Sequence, residues 1–496
     1  MRLLLLLASA AAAASASASA PRPSFVVILT DDQDLLLGGT SAMPTLASRL
    51  RAEGAELAGY VDVPVCCPSR TSTLSGRYAH NLNDTREGWC GDFFNLHAGR
   101  TWIHDLRAVG YATALFGKMT NDYPDFCGAN VRTFADFDYA DILCSDNAYF
   151  NNSFNRNGSM TRLAEGEYLT DHIGNASLAW LAPAAAAAAT TPFFAYIAPH
   201  APHVPATPAP IYLNAPLPGN ASGAPRLPNW DYATAHHHWL VSEKAPLTPE
   251  LITFSDELWA RRLRATMSVD DVLAAVLVTL EAAGALASTY ILFTSDHGYS
   301  LGGFRLPSGK FQVYEHNIRV PFFVRGPGIA PGSALLGTLV NNVDIAPTLL
   351  ELAGVAPSRQ LDGRSFASQL LSGGTAAWPR DRLLVEYWGL GYTERGPCHN
   401  GTSPCPGGPQ ALEDAPSNSF SGLRIQNATH DVLYAEYRGS PTAPIARAST
   451  NFTVAFNMSA DPHMLVNAAQ HWPVALVQQL SAELWAVANC AGPACP

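Results

Sequence analysis

Three apolar runs that end abruptly on acidic or histidine residues restrict what this chain can fold into. Residues 25–30 (FVVILT) run into Asp31 and Asp32. Residues 192–198 (PFFAYIA) run into a Pro/His-rich loop, and residues 289–294 (TYILFT) into Ser295, Asp296 and His297. Unbroken β-branched and aromatic runs without polar alternation read as strands covered on both faces. Shorter strands are expected at 112–116, just before Gly117 and Lys118, and at 321–325. Between the strands lie helical patterns at 44–54, 261–284 and 344–354. Strands alternating with helices predict an α/β core around a mostly parallel sheet. Ligands of such open sheets bind beyond the carboxyl ends of the strands. Asp31, Asp32, Lys118, His200, His203, Asp296 and His297 are therefore expected to converge on one crevice.

Beyond about residue 356 the texture changes. Residues 384–387 and 432–437 read as strands set between loops rich in Pro, Gly and Ser. The expectation is a catalytic domain over 24–355 and a smaller C-terminal α+β subdomain over 356–496. That subdomain would be an antiparallel sheet with a closing helix near 473–487. The Pro-rich stretch 207–228 is expected to be a surface loop.

Residues 1–20 combine Arg2, a leucine run and small-residue steps, the pattern of a cleaved secretory signal peptide. No later stretch approaches the roughly 18 apolar residues of a membrane span. Asn-x-Ser/Thr sequons at Asn83, Asn151, Asn157, Asn175, Asn220, Asn400, Asn427, Asn451 and Asn457 point independently to the secretory route and N-glycosylation. A net charge of −11 argues against nucleic-acid binding. An anionic substrate would need positive charge focused in one pocket. The nine cysteines form an odd set, so setting one aside for chemistry leaves eight for disulfides. The close pairs Cys398/Cys405 and Cys490/Cys495 are expected to be loop staples.

The most specific local pattern is Cys66-Cys67-Pro68-Ser69-Arg70, followed by Gly76-Arg77. Alone, it also suits a structural cysteine pair in a turn. It resembles the sulfatase signature, in which the first cysteine is oxidised to Cα-formylglycine during secretion. The resemblance extends, in the family's order, over TDDQD at 30–34, GKMTNDY at 117–123, APHAPHVP at 198–205, SDHGYSLG at 295–302, Lys310 and VPFFVRGPG at 320–328.

An anionic sulfate ester whose sulfur is shielded by oxygens needs charge neutralisation and a positioned nucleophile. A lone acidic pair at a strand end commonly caps a turn. The pair Asp31–Asp32 together with Asp296 at a second strand end supplies hard oxygen ligands for Ca²⁺ or Mg²⁺. The resemblance implies an alkaline-phosphatase/sulfatase-like fold and a cation bound by Asp31, Asp32, Asp296, His297 and the modified Cys66. It implies that one hydroxyl of the hydrated formylglycine attacks sulfur and the other helps expel sulfate. Arg70 would stabilise the hydrate, Lys118 and Lys310 would hold sulfate oxygens, and His203 would contact the sulfate or protonate the leaving alcohol. His200, Asn121 and His297 are candidate substrate contacts. The implied partners are a sulfated carbohydrate and, during maturation, the formylglycine-generating enzyme.

Two departures refine this. His297 stands where many sulfatases carry asparagine, and imidazole is a poor Ca²⁺ ligand. It is thus expected either to touch substrate or to alter metal preference. Asn121 stands where arylsulfatases have histidine. CCPSR, GKMTNDY, HHHWL at 236–240, SVDDV at 268–272 and VRGPGI at 324–329 are similar to N-acetylglucosamine-6-sulfatases. Arylsulfatase activity, phosphonate or phosphate ester hydrolysis, and silent sulfated-glycan binding stand as alternatives. The three histidines 236–238 cannot all face one ion, so a surface or substrate-rim position is expected for them. The implied destination is the cell exterior or the lysosome.

Overall fold

A computed structural model describes residues 22–82, 101–121, 126–145, 148–389 and 414–496. The expected signal peptide, the sequons at Asn83 and Asn400, and Cys90, Cys398 and Cys405 lie outside the described residues.

The main sheet contains β1 (Ser24–Thr30), β2 (Ala55–Tyr60), β3 (Ala112–Gly117), β4 (Tyr139–Leu143), β5 (Ser153–Arg156), β6 (Ser159–Arg162), β7 (Phe193–Ala198), β8 (Thr289–Ser295), β9 (Arg319–Val320), β10 (Phe322–Arg325) and β11 (Ser333–Asn341). Its order is β11-β2-β10-β8-β1-β7-β3-β4-β5-β6, with β9 paired to β2. The central strands β8, β1, β7, β3 and β4 are parallel. Along β1, Phe25, Val27 and Leu29 join one buried cluster while Val26 and Ile28 join the other. Both faces are covered, so the run needs no polar alternation. One face packs under α1 (Cys66–Ser75) and α4 (Ile345–Ala353); the other packs under α2 (Leu169–Ala186) and α3 (Pro249–Ala282).

The strand expected at 321–325 exists as β10, but it runs antiparallel to both β8 and β2. Between β8 and β9 the only α-helix is the single turn Glu315–Ile318. A parallel return needs a long crossover, and this connection stays at the carboxyl end of the sheet. Strand β2 was not readable in the sequence, because AELAGY carries a charge and a glycine. Gly59 is required there: a Cβ would meet Phe322 Cβ at 2.4 Å. Helix α3 starts well before residue 261. Thr248 caps it by accepting from the Leu251 amide, and Pro249 opens it.

Strands β12 (Arg382–Tyr387), β13 (Phe420–Gln426), β14 (Asp431–Tyr437) and β15 (Phe452–Asn457) form a separate four-stranded antiparallel sheet. Helix α5 (Val474–Val487) packs against it through Leu480 and Leu484. His236 is exposed, but His237 and His238 are not at the surface as expected. His237 meets the Tyr314 hydroxyl at 2.9 Å and His238 stacks on Tyr437 at 4.6 Å. Two flat rings beside an aromatic cluster gain more by burial there than at a wet rim. Among the described residues no helix is long and apolar enough to cross a membrane. Cys66 is a free, buried thiol, whereas Cys67 is disulfide-bonded and Cys127–Cys144 and Cys490–Cys495 are bridged.

Helix α1 is closed by Gly76 at φ 70°, whose amide donates to the Ser72 carbonyl. A Cβ at Gly76 would lie 2.6 Å from Ala346 Cβ. Gly76→Ala is expected to lower stability by roughly 1–3 kcal/mol from the left-handed backbone alone. Denaturant unfolding of the variant, unchanged from wild type, would contradict this account of how α1 ends.

Candidate active site

The site is assembled where β1, β3, β7 and β8 end. The parallel register pairs Thr30 with Ser295, so the residues that follow, Asp31–Asp32 and Asp296–His297, leave the sheet side by side. Asp32 takes φ 64°, a backbone conformation that favours glycine but that aspartate tolerates. Its amide donates to Asp296 Oδ1 at 3.0 Å, which fixes that turn against β8. Across the loop after β2, Cys66 is the first residue of α1, and Arg70, one turn on, shares its face.

Around Cys66 the distances are short. Its Sγ lies 3.4 Å from Asp31 Oδ1, 3.9 Å from Asp32 Oδ1 and 3.2 Å from His297 Nε2. Lys310 Nζ donates to Sγ at 3.0 Å and to Asp32 Oδ1 at 3.2 Å. Lys118 Nζ binds Asp31 Oδ2 at 2.6 Å, and His200 Nδ1 donates to the same oxygen at 3.1 Å. Arg70 Nε binds Asp296 Oδ2 at 2.8 Å, and its Nη1 holds the Lys118 carbonyl at 2.7 Å. His203 Nε2 is 3.9 Å from Asp32 Oδ2, and its Nδ1 donates to the Val204 carbonyl at 2.7 Å. Asn121 is half-buried on the loop three residues beyond Lys118.

Asp31, Asp32, Cys66, Arg70, Lys118, His200, Asp296 and His297 are all fully buried, and Lys310 nearly so. Burial alone would raise Asp31, but the Lys118 ammonium and the Arg70 guanidinium outweigh it and hold its carboxyl well below the usual range. Asp32 is depressed in the same way: burial opposes it, and the Lys310 ammonium outweighs it. Burial and the Asp31 carboxylate push the Cys66 thiol well up, against the pull of Lys118 and Lys310. As translated, Cys66 is thus a neutral thiol and a poor nucleophile. Burial, only partly opposed by Asp32 and Asp31, lowers His203 to about 3, so its ring is neutral.

A divalent cation fits these side chains. Ligand atoms of Asp31, Cys66, Asp296 and His297 all lie within 4.8 Å of one another, as do those of Asp31, Asp32, Cys66 and His203. Asp32 Oδ2 is buried without a hydrogen-bond partner, an orphan that a cation would satisfy. His297 donates Nδ1–H to the Gly298 carbonyl at 2.8 Å, so Nε2 presents its lone pair to the cluster. The three carboxylates balance two ammonium groups and one guanidinium. A dication therefore leaves the pocket positive and ready for an anion.

The family model described as Sulfatase matches residues 23–355. The chain belongs to the sulfatase family. A model of the N-sulphoglucosamine sulphohydrolase C-terminal region matches residues 308–403. N-acetylglucosamine-6-sulfatase of Capra hircus is 34% identical over 493 residues, covering 96% of this sulfatase and 85% of the relative. The Homo sapiens enzyme of that name is also 34% identical, covering 96% and 86%. In fold, the sulfatase is similar to BT4656, solved in complex with its substrate D-glucosamine-2-N,6-O-disulfate. The TM-score is 0.68 at 20% identity, covering 93% of this chain and 97% of that one. The family implies a formylglycine and a divalent metal. In the translated sulfatase the Cys66 Sγ stands where the formylglycine oxygens would lie.

Behind α1 the sulfatase has a buried polar network that the sequence reading missed. Asp62 accepts from Ser72 Oγ at 2.6 Å and from Asn342 Nδ2 at 2.9 Å. Asn342 also binds the Ser69 carbonyl at 2.9 Å, which ties the helix carrying position 66 to the start of α4. The Glu386 amide of β12 donates to the Asp62 carbonyl at 2.7 Å. His80 Nδ1 donates to the Glu386 carboxylate at 2.8 Å and Nε2 to the Cys490 carbonyl at 2.8 Å. Both ring nitrogens donate, so this imidazole is a cation. Burial would lower it, but Glu386 raises it to about 9. Burial raises Asp62 to about 7, against the hydrogen bond from Ser72.

Both shifts give stability the same sign of pH dependence. His80, raised above its ordinary 6.5, contributes stability that is complete below that value and is lost as pH rises through about 9. Asp62, raised above 3.8, favours the folded state at acid pH and loses that contribution as pH rises through about 7. The thermal midpoint of wild type should exceed that of His80→Gln at pH 6, with the gap closing by pH 9.5. A gap that widens across that interval would refute the charged His80–Glu386 pair.

Proposed function

We propose that this sulfatase removes 6-O-sulfate from N-acetylglucosamine units of glycosaminoglycans. The reading is carried by the joint presence of three carboxylates, two lysines and an arginine around position 66. Near full-length identity to N-acetylglucosamine-6-sulfatases supports the choice of substrate. In this reading residues 24–355 are the catalytic domain and 356–496 a subdomain. Residue 66 is oxidised by the formylglycine-generating enzyme on the secretory route. Exposure of the described sequons at Asn151, Asn157, Asn175, Asn220, Asn427, Asn451 and Asn457 supports that route and a secreted or lysosomal destination.

The formylglycine supplies a hydrated aldehyde as nucleophile, and Ca²⁺ or Mg²⁺ supplies Lewis acidity toward the sulfate oxygens. Asp31, Asp32, Asp296 and His297 would hold the cation together with residue 66. The carboxylate oxygens at hand favour Ca²⁺, for which the His297 imidazole is the weakest of these ligands. An ammonium has three donors, so Lys118 and Lys310 can keep Asp31 and Asp32 and still reach sulfate oxygens. Arg70 keeps the Asp296 carboxylate aimed at the cluster. His203 would contact the substrate through Nε2, the ring atom facing Asp32. His200 and Asn121 contact the substrate.

The test is sulfate release from N-acetylglucosamine-6-sulfate by protein co-expressed with the formylglycine-generating enzyme. Aryl sulfate and aryl phosphonate esters serve as competitors. Preference for either competitor by kcat/KM would redirect the assignment. Cys66→Ala should fold and lose all turnover; retained activity would remove Cys66 as nucleophile. Lys310→Ala should lower kcat/KM by about 10²–10³-fold, and wild-type kinetics would take Lys310 out of the site. Asp32→Ala should lose bound metal by elemental analysis.

A further inference from the structure

Arg262 lies on α3, is 2% exposed, and touches the loops that follow β1, β7 and β8 without joining the cluster itself. Its Nη2 donates to the Asp32 carbonyl at 2.5 Å and to Asp34 Oδ1 at 3.0 Å, both on the loop after β1. Its Nη1 reaches the Pro202 carbonyl at 3.3 Å, between His200 and His203 on the loop after β7. Its guanidinium lies over the Tyr299 ring at 4.4 Å, two residues beyond His297 on the loop after β8. Tyr299 is fully buried.

We propose that Arg262 is a positioning residue that sets the affinity of the site for its divalent cation by locking Asp32 in its left-handed conformation and clamping the loops after β1, β7 and β8 together. The inference rests on the metal-site reading given above. Asp32 sits at φ 64° with Oδ1 held by Lys310 and Oδ2 unpaired, so the aim of Oδ2 depends on how its backbone is held. On one side the Asp32 amide is held by Asp296, and on the other its carbonyl is held by Arg262. A planar guanidinium can serve two carbonyls, a carboxylate and an aromatic face at once, which an ammonium cannot. Removing the clamp frees a strained peptide to relax and swings Asp32 away from Asp31 and Asp296.

A plain buried ion pair between Arg262 and Asp34 would stabilise the fold but leave the cation indifferent. Arg262→Lys keeps the charge beside Asp34 and loses the fork. The double variant Arg262→Met/Asp34→Asn removes both charges and so leaves no unpaired ion buried. Wild type and both variants would be titrated with calcium chloride by calorimetry, and their metal-free thermal midpoints recorded. The expected result is calcium affinity about 10–100-fold weaker in either folded variant. Turnover of the Lys variant should recover as calcium is raised. Calcium affinity within twofold of wild type in a folded variant, with only the metal-free midpoint lowered, would overturn the role of Arg262 while leaving the metal site intact. A wild-type protein that binds neither calcium nor magnesium would instead overturn the metal-site reading, and this inference with it.

Discussion

Everything at the carboxyl end of the sheet depends on mutual neutralisation of charges buried away from water. Asp31, Asp32 and Asp296 face Lys118, Lys310 and Arg70 across distances of 2.6–3.7 Å. Each ion alone would cost several kcal/mol to bury. None is tolerable without its partners, so the cluster exists only when β1, β3 and β8 are in register and α1 is docked. The pairing of Thr30 with Ser295 is decisive, since a slip of one residue would turn both aspartate turns to opposite faces. The active-site geometry is therefore a property of strand register before it is a property of any loop.

The helix that carries position 66 is held from behind as firmly as from the front. In front, Arg70 grips Asp296. Behind, Asn342 and Asp62 bind the backbone and hydroxyls of α1, and Glu386 links that pair to the C-terminal sheet. The antiparallel sheet is thereby continuous with the support of α1 rather than an appendage. Its His80–Glu386 contact, closed by the carbonyl of the bridged Cys490, places a cation beside an otherwise acidic seam. Acid conditions strengthen that seam, because both raised groups bind protons in the folded state.

Much of the site could be read in the sequence because its side chains follow strands that no other element resembles. FVVILT and TYILFT mark buried parallel strands, and whatever follows such strands lies at the ligand end of the sheet. The Cys-x-Pro-Ser-Arg pattern then marked a thiol and an arginine as belonging together, and the structure sets them one helical turn apart. Asp62, Asn342, His80 and Glu386 were illegible because the contacts that link them to one another and to Cys490 join residues some 280 to 410 positions apart with no local pattern. Arg262 left a trace. Its neighbours Leu258, Trp259, Leu263, Thr266 and Val269 form the buried stripe of α3, and Arg262 sits on it. A charged side chain on the apolar face of a helix must have a buried partner, and that rule would have pointed to the aspartate loop. Strand β2 carried no such trace, since its place is dictated by Phe322 packing over Gly59.

The charge balance also bears on how an anionic substrate is chosen by a protein of net charge −11. At roughly 0.1 M salt the surface field decays within about 10 Å, so repulsion acts at the approach and not inside the pocket. Side chains alone leave the cluster neutral, which gives a free anion little reason to enter. A dication converts the same cluster to a positive well walled by groups that cannot move without breaking another ion pair. Sulfate esters are thus recognised at contact range, by a site whose positive charge is borrowed from its cation and whose shape is set by the protein. Without the cation the pocket is neutral, because the six side-chain charges already answer one another.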